Sequence, residues 1–167
     1  MHTPSNPTES EIINKYGNRV RLRVCGLCWR NDNLLMVNHK SLTGGYFWAP
    51  PGGGIEFGQP AHTALIREFM EETAITITVG SLLFTCEFIK QPLHAMELFF
   101  EACYEQGEPT TGLDPESTAD NQIITKVAYL DYATIMRIPS AERHGIFRIA
   151  KTPEELKKLT GFYRLKS

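Results

Sequence analysis

The sequence lacks the features that mark nucleic-acid binders and membrane proteins. It has 17 Lys and Arg against 19 Asp and Glu, a formal charge of −2. The basic excess of a general nucleic-acid or acidic-membrane binder is therefore missing. The longest apolar runs, such as Leu34 to Val37, have four residues, whereas a membrane span needs about 18. We expect no nucleic-acid partner and no membrane span.

Cysteine is scarce, with four residues in the chain. The first ten residues, MHTPSNPTES, contain neither Lys, Arg nor an apolar block, so they do not resemble a secretory signal. The cysteines therefore indicate reduced thiols and predict a cytoplasmic protein. Cys25 and Cys28 have the C-x-x-C spacing, but on a strand an offset of three directs the two thiols to opposite faces. Zinc or disulfide chemistry is therefore not expected.

The length and the mixture of elements indicate one layered domain. A chain of 167 residues is the size of a single ordinary domain. Residues 1–17 are polar and contain two prolines, which predicts an N-terminal tail with a short helix near residues 9–16. Strands mixed with a few helices over residues 18–167 predict a single α/β or α+β domain.

Periodicity places most of the elements. Arg19, Arg21 and Arg23 alternate with apolar residues, which predicts a strand with one basic face, joined as a hairpin to a strand at residues 34–38. Further strands are predicted at residues 46–49, 75–79, 82–89, 95–105 and 123–130, and helices at 61–73, 132–137 and 153–159. Residues 50–54, two prolines and three glycines, are predicted to form a loop, and so is the polar stretch 107–121.

A cluster of carboxylates on the helix at residues 61–73 is the most informative feature. At about 100° per residue, Glu68, Glu71 and Glu72 share an arc of about 100°. The side of the helix expected to face the core carries four apolar residues, Leu65, Ile66, Phe69 and Met70. One side of the helix is thus predicted to pack while another concentrates three negative charges.

A solvated Glu-rich surface is the alternative explanation, since like charges at these spacings cost only a few tenths of a kcal/mol per pair. The neighbourhood favours a chemical role instead. Gly52, Gly53 and Gly54 lie just upstream, and exposed backbone amides can bind phosphate oxygens. A divalent cation such as Mg²⁺ or Mn²⁺, held by carboxylates and substrate phosphates, would neutralise the cluster. The combination predicts phosphoryl chemistry.

The segment from Gly53 to Ile75 resembles the Nudix box, G-x5-E-x7-R-E-U-x-E-E-x-G-U, where U is a bulky aliphatic residue. The matching positions are Gly53, Arg67, Glu68, Phe69 in a U place, Glu71, Glu72 and Ile75. The 23-residue frame aligns without a gap. Gln59 replaces the first Glu, so no metal-binding role is assigned to it. Ala74 replaces Gly, which indicates either a turn without positive φ or a small strain.

The resemblance implies the Nudix fold, a single-domain α/β/α sandwich with a mixed sheet. It also implies Mg²⁺-dependent (or Mn²⁺-dependent) hydrolysis of a nucleoside diphosphate linked to another moiety. Carried over to this chain, Glu71 and Glu72 would be the principal metal ligands, and Glu68 a further ligand or the base that activates water. Arg67 would orient the glutamates by ion pairing.

Residues outside the box complete the predicted site. Arg23 is the preferred candidate of its strand for binding phosphate, Trp48 could stack on a base or simply pack in the core, and the glycines 52–54 could bind phosphate. Pro92 and Glu97 have the internal spacing seen in family members acting on ADP-ribose, although Pro92 comes about two residues late. Glu97 is therefore a candidate catalytic residue or an ordinary strand acid. His94 could contact substrate, or only pack.

Three functions remain open from the sequence. The first is an ADP-ribose or NDP-sugar pyrophosphatase. The second is a MutT-like enzyme that acts on (deoxy)nucleoside triphosphates. The third is a non-catalytic sensor of nucleotide sugars, which the intact glutamates disfavour. In each case the partner is a small nucleotide, and a homodimer is possible by analogy with relatives.

Overall fold

The computed structural model describes residues 8–41, 44–111 and 124–166. The helices are α1 (Glu9–Tyr16), α2 (Ala61–Thr73), α3 (Tyr132–Arg137), α4 (Ile146–Ile149) and α5 (Pro153–Lys157), with a 3₁₀ turn at Ser140–Glu142. The strands are β1 (Val20–Leu27), β2 (Trp29–Arg30), β3 (Asn33–Lys40), β4 (Tyr46–Ala49), β5 (Gly52–Gly54), β6 (Thr76–Lys90), β7 (Leu93–Gln106), β8 (Ile124–Leu130) and β9 (Gly161–Leu165). Among the described helices, none is long and apolar enough to cross a membrane.

The strands form two sheets. The larger has the order β5-β1-β7-β6-β9, and it is mixed because β1 with β7 and β6 with β9 are parallel while its other pairs are antiparallel. In the smaller sheet β3 pairs antiparallel with β2, β4 and β8. One hydrophobic cluster packs α2 against the sheets, and the other packs α3, α4 and α5. The predicted α/β/α sandwich with a mixed sheet is confirmed.

The two cysteines of the C-x-x-C spacing lie in different clusters. Cys25 belongs to the cluster beneath α3, α4 and α5, and Cys28 to the cluster beneath α2. Both thiols are free and buried. Alternation along the chain has separated them as expected, so the spacing reflects core packing.

Helix α2 has the predicted bounds, but its buried face is rotated from the predicted one. Leu65 and Phe69 are fully buried, whereas Ile66 is 40% and Met70 47% exposed. Glu72 is only 8% exposed, because its direction about the helix falls between those of buried neighbours. The carboxylate arc and the packed arc therefore overlap, and one of the three glutamates points into the protein.

The loop prediction for residues 50–54 is wrong in its second half. Gly52–Gly54 form β5, paired with Arg23–Cys25 of β1. Glycine has low intrinsic strand preference, but here backbone approaches too closely for a side chain: a Cβ on Gly52 would lie 2.1 Å from the Val24 carbonyl oxygen. Tertiary contact overrides local preference at this position.

Other boundaries differ where strands bend. The two strands predicted at 75–79 and 82–89 are one strand, β6, with register shifts near Leu82. The predicted hairpin is formed by β2 and β3, because β1 belongs to the other sheet. At the turn between β2 and β3, Asn31 and Asp32 both have positive φ, as a type I′ turn requires. Strand β9 was not predicted. Most of the predicted loop at 107–121 lies outside the described residues.

Candidate active site

Backbone register brings the site together. Strand β5 places Gly54 opposite Arg23 of β1, and β7 places Glu97 beside the same arginine. Helix α2 follows β5 and lies against both β5 and β1. Arg23 is thus paired with Glu97, and the charges of Glu68 and Glu72 on α2 also act on its guanidinium.

Arg67 organises two of the glutamates of α2. Its Nη1 lies 2.9 Å from Glu68 Oε1 and 3.0 Å from Glu71 Oε2. Its Nη2 donates to the Gly54 carbonyl at 3.1 Å and to Gln59 Oε1 at 3.3 Å. Gln59 therefore keeps a hydrogen-bond acceptor for Arg67 where the box has a carboxylate. The predicted orienting role of Arg67 agrees with this geometry.

Glu72 is the inward-pointing glutamate. Its Oε2 accepts a hydrogen bond from the Gly52 amide at 3.0 Å. This amide was predicted to bind substrate phosphate, but in this structure it binds a protein carboxylate. The contact joins α2 to β5 and holds the carboxylate in place.

Glu68 lies against the neighbouring glycine. A Cβ on Gly53 would stand 2.2 Å from the Glu68 carboxyl carbon, so the absence of a side chain makes room for this carboxylate. Burial raises the pKa of Glu68 above its ordinary value, although the charge of Arg67 opposes the effect. A raised pKa makes a carboxylate a better proton acceptor.

The end of α2 settles how Ala74 fits the box. Ala74 has φ 58° and ψ 21°, the left-handed conformation, and its amide donates to the Met70 carbonyl. The conformation that glycine usually supplies at a helix end is present. Of the two explanations left open by the sequence, the small strain is the correct one, at a cost of about 1 kcal/mol.

Glu97 is buried between two cationic or hydrogen-bonding partners. It is 7% exposed, so it is not an ordinary exposed strand acid. Its Oε1 lies 3.3 Å from Arg23 Nε and its Oε2 2.8 Å from His144 Nε2. Burial alone would raise the pKa of Glu97, but His144 and Arg23 together outweigh it and hold the pKa at about 2. Glu97 is thus ionised throughout the physiological range.

The ionised state of Glu97 predicts an acid-dependent stability difference. The pKa of Glu97 in the folded protein, about 2, lies below the ordinary 4.5. The ionised carboxylate therefore adds its full contribution to the free energy of unfolding above pH ~4.5, and this contribution is lost as the pH falls toward 2. Between pH 6 and pH 3 the loss should be about 2 kcal/mol. Urea unfolding of wild type and Glu97→Gln at both pH values measures it. Wild type should be the more stable at pH 6 and its advantage should shrink by that amount at pH 3; an unchanged difference would contradict the assignment.

His144 is the residue that sequence reasoning missed. It lies 47 positions beyond Glu97, in the short segment between the 3₁₀ turn and α4, and no motif surrounds it. Its amide donates to the Trp48 carbonyl at 2.8 Å. The preceding Arg143 donates through Nη1 to carbonyls at the end of α3. The pairing of His144 with Glu97 could have been predicted only by knowing that the segment before α4 packs on β7.

Two predicted substrate contacts are placed differently. His94 lies three residues before Glu97 on β7 and therefore on the opposite face of the sheet, where its Nε2 is 3.1 Å from Glu87 Oε1. Among the described residues, His94 makes no hydrogen bond or ion pair with the glutamates of α2 or with Glu97. Trp48 is half-buried and its ring packs against the cluster beneath α3, α4 and α5, while its backbone carbonyl accepts from the His144 amide.

The donor set of α2 suits a hard divalent cation. Glu68, Glu71 and Glu72 offer carboxylate oxygens, the donors that Mg²⁺ prefers. Arg67 Nη1 already bridges Glu68 and Glu71. Within the described ranges, no group of three or more His, Cys, Asp or Glu side chains stands ready to hold a metal. If these glutamates hold a metal ion, their carboxylates would have to leave their present partners, the Arg67 guanidinium and the Gly52 amide.

Most of the chain matches one known domain family. A model of the NUDIX domain matches residues 19–147, well over half of the chain. The chain belongs to the Nudix family. It is a Nudix-type pyrophosphohydrolase. Nudix hydrolases act on small-molecule nucleotides and generally need a divalent metal. No curated protein is similar enough in sequence to count as a match.

Solved structures show the same fold. A Nudix hydrolase from Nitrosomonas europaea has a TM-score of 0.64 at 18% identity, over 84% of this chain and 86% of its own. A structure titled UDP-X diphosphatase has 0.61 at 20%, over 95% and 76%. An ADP-ribose pyrophosphatase from Streptococcus suis has 0.57 at 13%, over 86% and 98%. At these identities the likeness concerns the fold.

Proposed function

We propose that this Nudix hydrolase cleaves the pyrophosphate bond of ADP-ribose or another nucleoside-diphosphate sugar with Mg²⁺ or Mn²⁺. The observation that carries the proposal is the ion pair of Arg23 with Glu97, formed where the charges of Glu68 and Glu72 on α2 also act on the arginine. Glu97 belongs to the Pro92–Glu97 segment, whose spacing resembles that of family members acting on ADP-ribose. Two structural neighbours, an ADP-ribose pyrophosphatase and a UDP-X diphosphatase, support this substrate class.

The residues divide the reaction between them. Arg23 offers a planar guanidinium for a substrate phosphate, and its Nε is already engaged by Glu97. Glu68, Glu71 and Glu72 would hold the metal ion, which would neutralise phosphate charge and lower the pKa of water. As the alternative to binding metal, Glu68, whose pKa burial raises, is suited to accept a proton from the attacking water.

The overall reaction is hydrolysis of a phosphoric anhydride. Water adds to one phosphorus, and the bond from that phosphorus to the bridging oxygen breaks. The bridging oxygen leaves with the other phosphate, and the proton lost by water is returned to solvent. ADP-ribose would give AMP and ribose 5-phosphate, while a nucleoside triphosphate would give a nucleoside monophosphate and inorganic pyrophosphate.

A substrate panel tests the proposal. Purified protein is incubated with ADP-ribose, several NDP-sugars and the four dNTPs, with Mg²⁺, with Mn²⁺ and with EDTA, and products are separated by ion-exchange chromatography. We expect AMP from ADP-ribose, or a nucleoside monophosphate from an NDP-sugar, only when metal is present. Glu154→Gln, which removes an exposed acid on α5, should behave as wild type.

Each other outcome has a defined meaning. Pyrophosphate release from dNTPs, with little cleavage of any NDP-sugar, would replace the proposal by the triphosphate alternative. Undiminished activity in EDTA would overturn the metal assignment. Tight binding of ADP-ribose without cleavage of any compound would point to a sensor and contradict the proposed reaction.

A further inference from the structure

We propose that His144 is a positioning residue: acting through Glu97, it fixes the guanidinium of Arg23 for binding substrate phosphate. The inference rests on the proposed function, since it concerns how the same site holds its substrate. It assigns a role to a residue outside the Nudix box and outside the set that sequence reasoning identified.

The three side chains form a chain of contacts. His144 Nε2 is 2.8 Å from Glu97 Oε2, and Glu97 Oε1 is 3.3 Å from Arg23 Nε. Both carboxylate oxygens are thus engaged, one on each side. Among the described residues, the two terminal nitrogens of Arg23 have no hydrogen-bond partner, and its side chain is 25% exposed. The guanidinium is held by one edge while its other donors stay available.

The tautomer of His144 is set by its own backbone neighbourhood. The Ile146 amide donates to His144 Nδ1 at 3.2 Å. An amide can only donate, so Nδ1 must present a lone pair, and the ring hydrogen is placed on Nε2, facing Glu97. The Nε2–H of the ring therefore donates to the Glu97 carboxylate.

The imidazole has little freedom to turn away from Glu97. His144 is 6% exposed, and the rings of Phe99 and Phe47 lie 5.4 Å and 6.3 Å from it, centroid to centroid. Its amide is bound to the Trp48 carbonyl. Removing the Nε2 donor would leave a buried carboxylate oxygen unsatisfied, which Glu97 would relieve by rotating away from Arg23.

This arrangement favours positioning over proton transfer for Glu97. A base needs a free oxygen within reach of the attacking water, whereas both oxygens of Glu97 are engaged by Arg23 and His144. The low exposure of the carboxylate points the same way. The guanidinium of Arg23, whose terminal nitrogens have no hydrogen-bond partner in the described part of the chain, is the group in this chain of contacts that can touch substrate.

A matched pair of substitutions isolates the decisive hydrogen bond. Gln at position 144 carries an amide nitrogen near the place of Nε2 and keeps the donor to Glu97. Asn is shorter: it keeps an oxygen near the place of Nδ1, so it can accept from Ile146 but cannot reach Glu97. His144→Gln should bind and turn over substrate within about threefold of wild type. His144→Asn should raise KM about tenfold with a smaller change in kcat, because ground-state phosphate binding is weakened.

Thermal unfolding of both variants separates this effect from a general loss of structure. Because His144→Asn also removes a buried hydrogen bond, it should lower Tm; if the role is positioning, the two variants still differ in KM at a temperature at which both are fully folded. A double-mutant cycle combines His144→Asn with Arg23→Lys. Because both changes act on the same guanidinium, the double variant should be little worse than Arg23→Lys alone. Additive losses, or an Asn variant with wild-type KM, would overturn the proposal.

Binding of inorganic pyrophosphate in the presence of Mg²⁺, measured by calorimetry, keeps the test independent of the substrate assignment. The Asn variant should bind it about tenfold more weakly than the Gln variant does, even if the substrate panel identifies another reaction. Imidazole ¹⁵N shifts of wild type should show hydrogen on Nε2 of His144. Equal pyrophosphate affinity in the two variants, or hydrogen on Nδ1, would contradict the inference.

Discussion

Replacing Glu72 by Gln is expected to lower kcat/KM by about three orders of magnitude and to leave the fold intact. The Gln oxygen can still accept the hydrogen bond that the Gly52 amide donates to Glu72, at 3.0 Å in the wild type. The contact between α2 and β5 would therefore survive. The substitution removes the negative charge that would bind the metal. Metal stabilisation of the transition state is worth several kcal/mol, and about 4 kcal/mol corresponds to three orders of magnitude in rate at 1.36 kcal/mol per tenfold.

Steady-state kinetics with Mg²⁺, on the best substrate of the panel, measures the effect. Glu71→Gln should lose activity to a similar degree, since Glu71 is a proposed ligand on the same helix. Thermal unfolding and circular dichroism of both variants should match wild type, and Glu154→Gln serves as the charge-loss control. Near-wild-type activity in either glutamate variant would remove the basis for the metal assignment at α2.

Local patterns accounted for the parts of this site that lie on one element. Helix α2 spans the residues that its periodicity predicted, and the box offsets brought Arg67 to Glu68 and Glu71. Strand alternation predicted the basic face of β1 that carries Arg23, although its contact with Glu97 depends on the pairing of β1 with β7. In each case the spacing along a single helix or strand determines which side chains are neighbours, so the sequence alone was sufficient.

Contacts between distant segments were not accessible in this way. His144 meets Glu97 across 47 positions, and its place depends on how the segment before α4 packs on β7. Glu72 was predicted to lie away from the packed side of α2, yet the packing of α2 buries it. Strand β5 exists because β1 lies beside it. These features arise from tertiary packing, which periodicity within one element does not encode.

Replacing Gly53 by Ala is expected to lower kcat/KM about 100-fold with little loss of stability. The new methyl group would stand 2.2 Å from the carboxyl carbon of Glu68, so that carboxylate must move. Glu68 can move cheaply because the clash involves the end of a flexible side chain rather than backbone. A displacement of about 1 Å at a catalytic group can cost about 100-fold in rate.

The neighbouring glycines provide controls within the same strand. A Cβ on Gly54 meets no atom within 4 Å, so Gly54→Ala should retain both activity and stability, whereas a Cβ on Gly52 would lie 2.1 Å from the Val24 carbonyl oxygen. Gly52→Ala should therefore lower the free energy of unfolding, by about 3 kcal/mol. Urea unfolding and kinetics on the three variants separate the effects: loss of activity with retained stability at position 53 alone would locate Glu68 in the chemistry. If Gly53→Ala kept full activity with an intact fold, the position of the Glu68 carboxylate would not limit the reaction, and its proposed part in metal binding or proton transfer would be wrong.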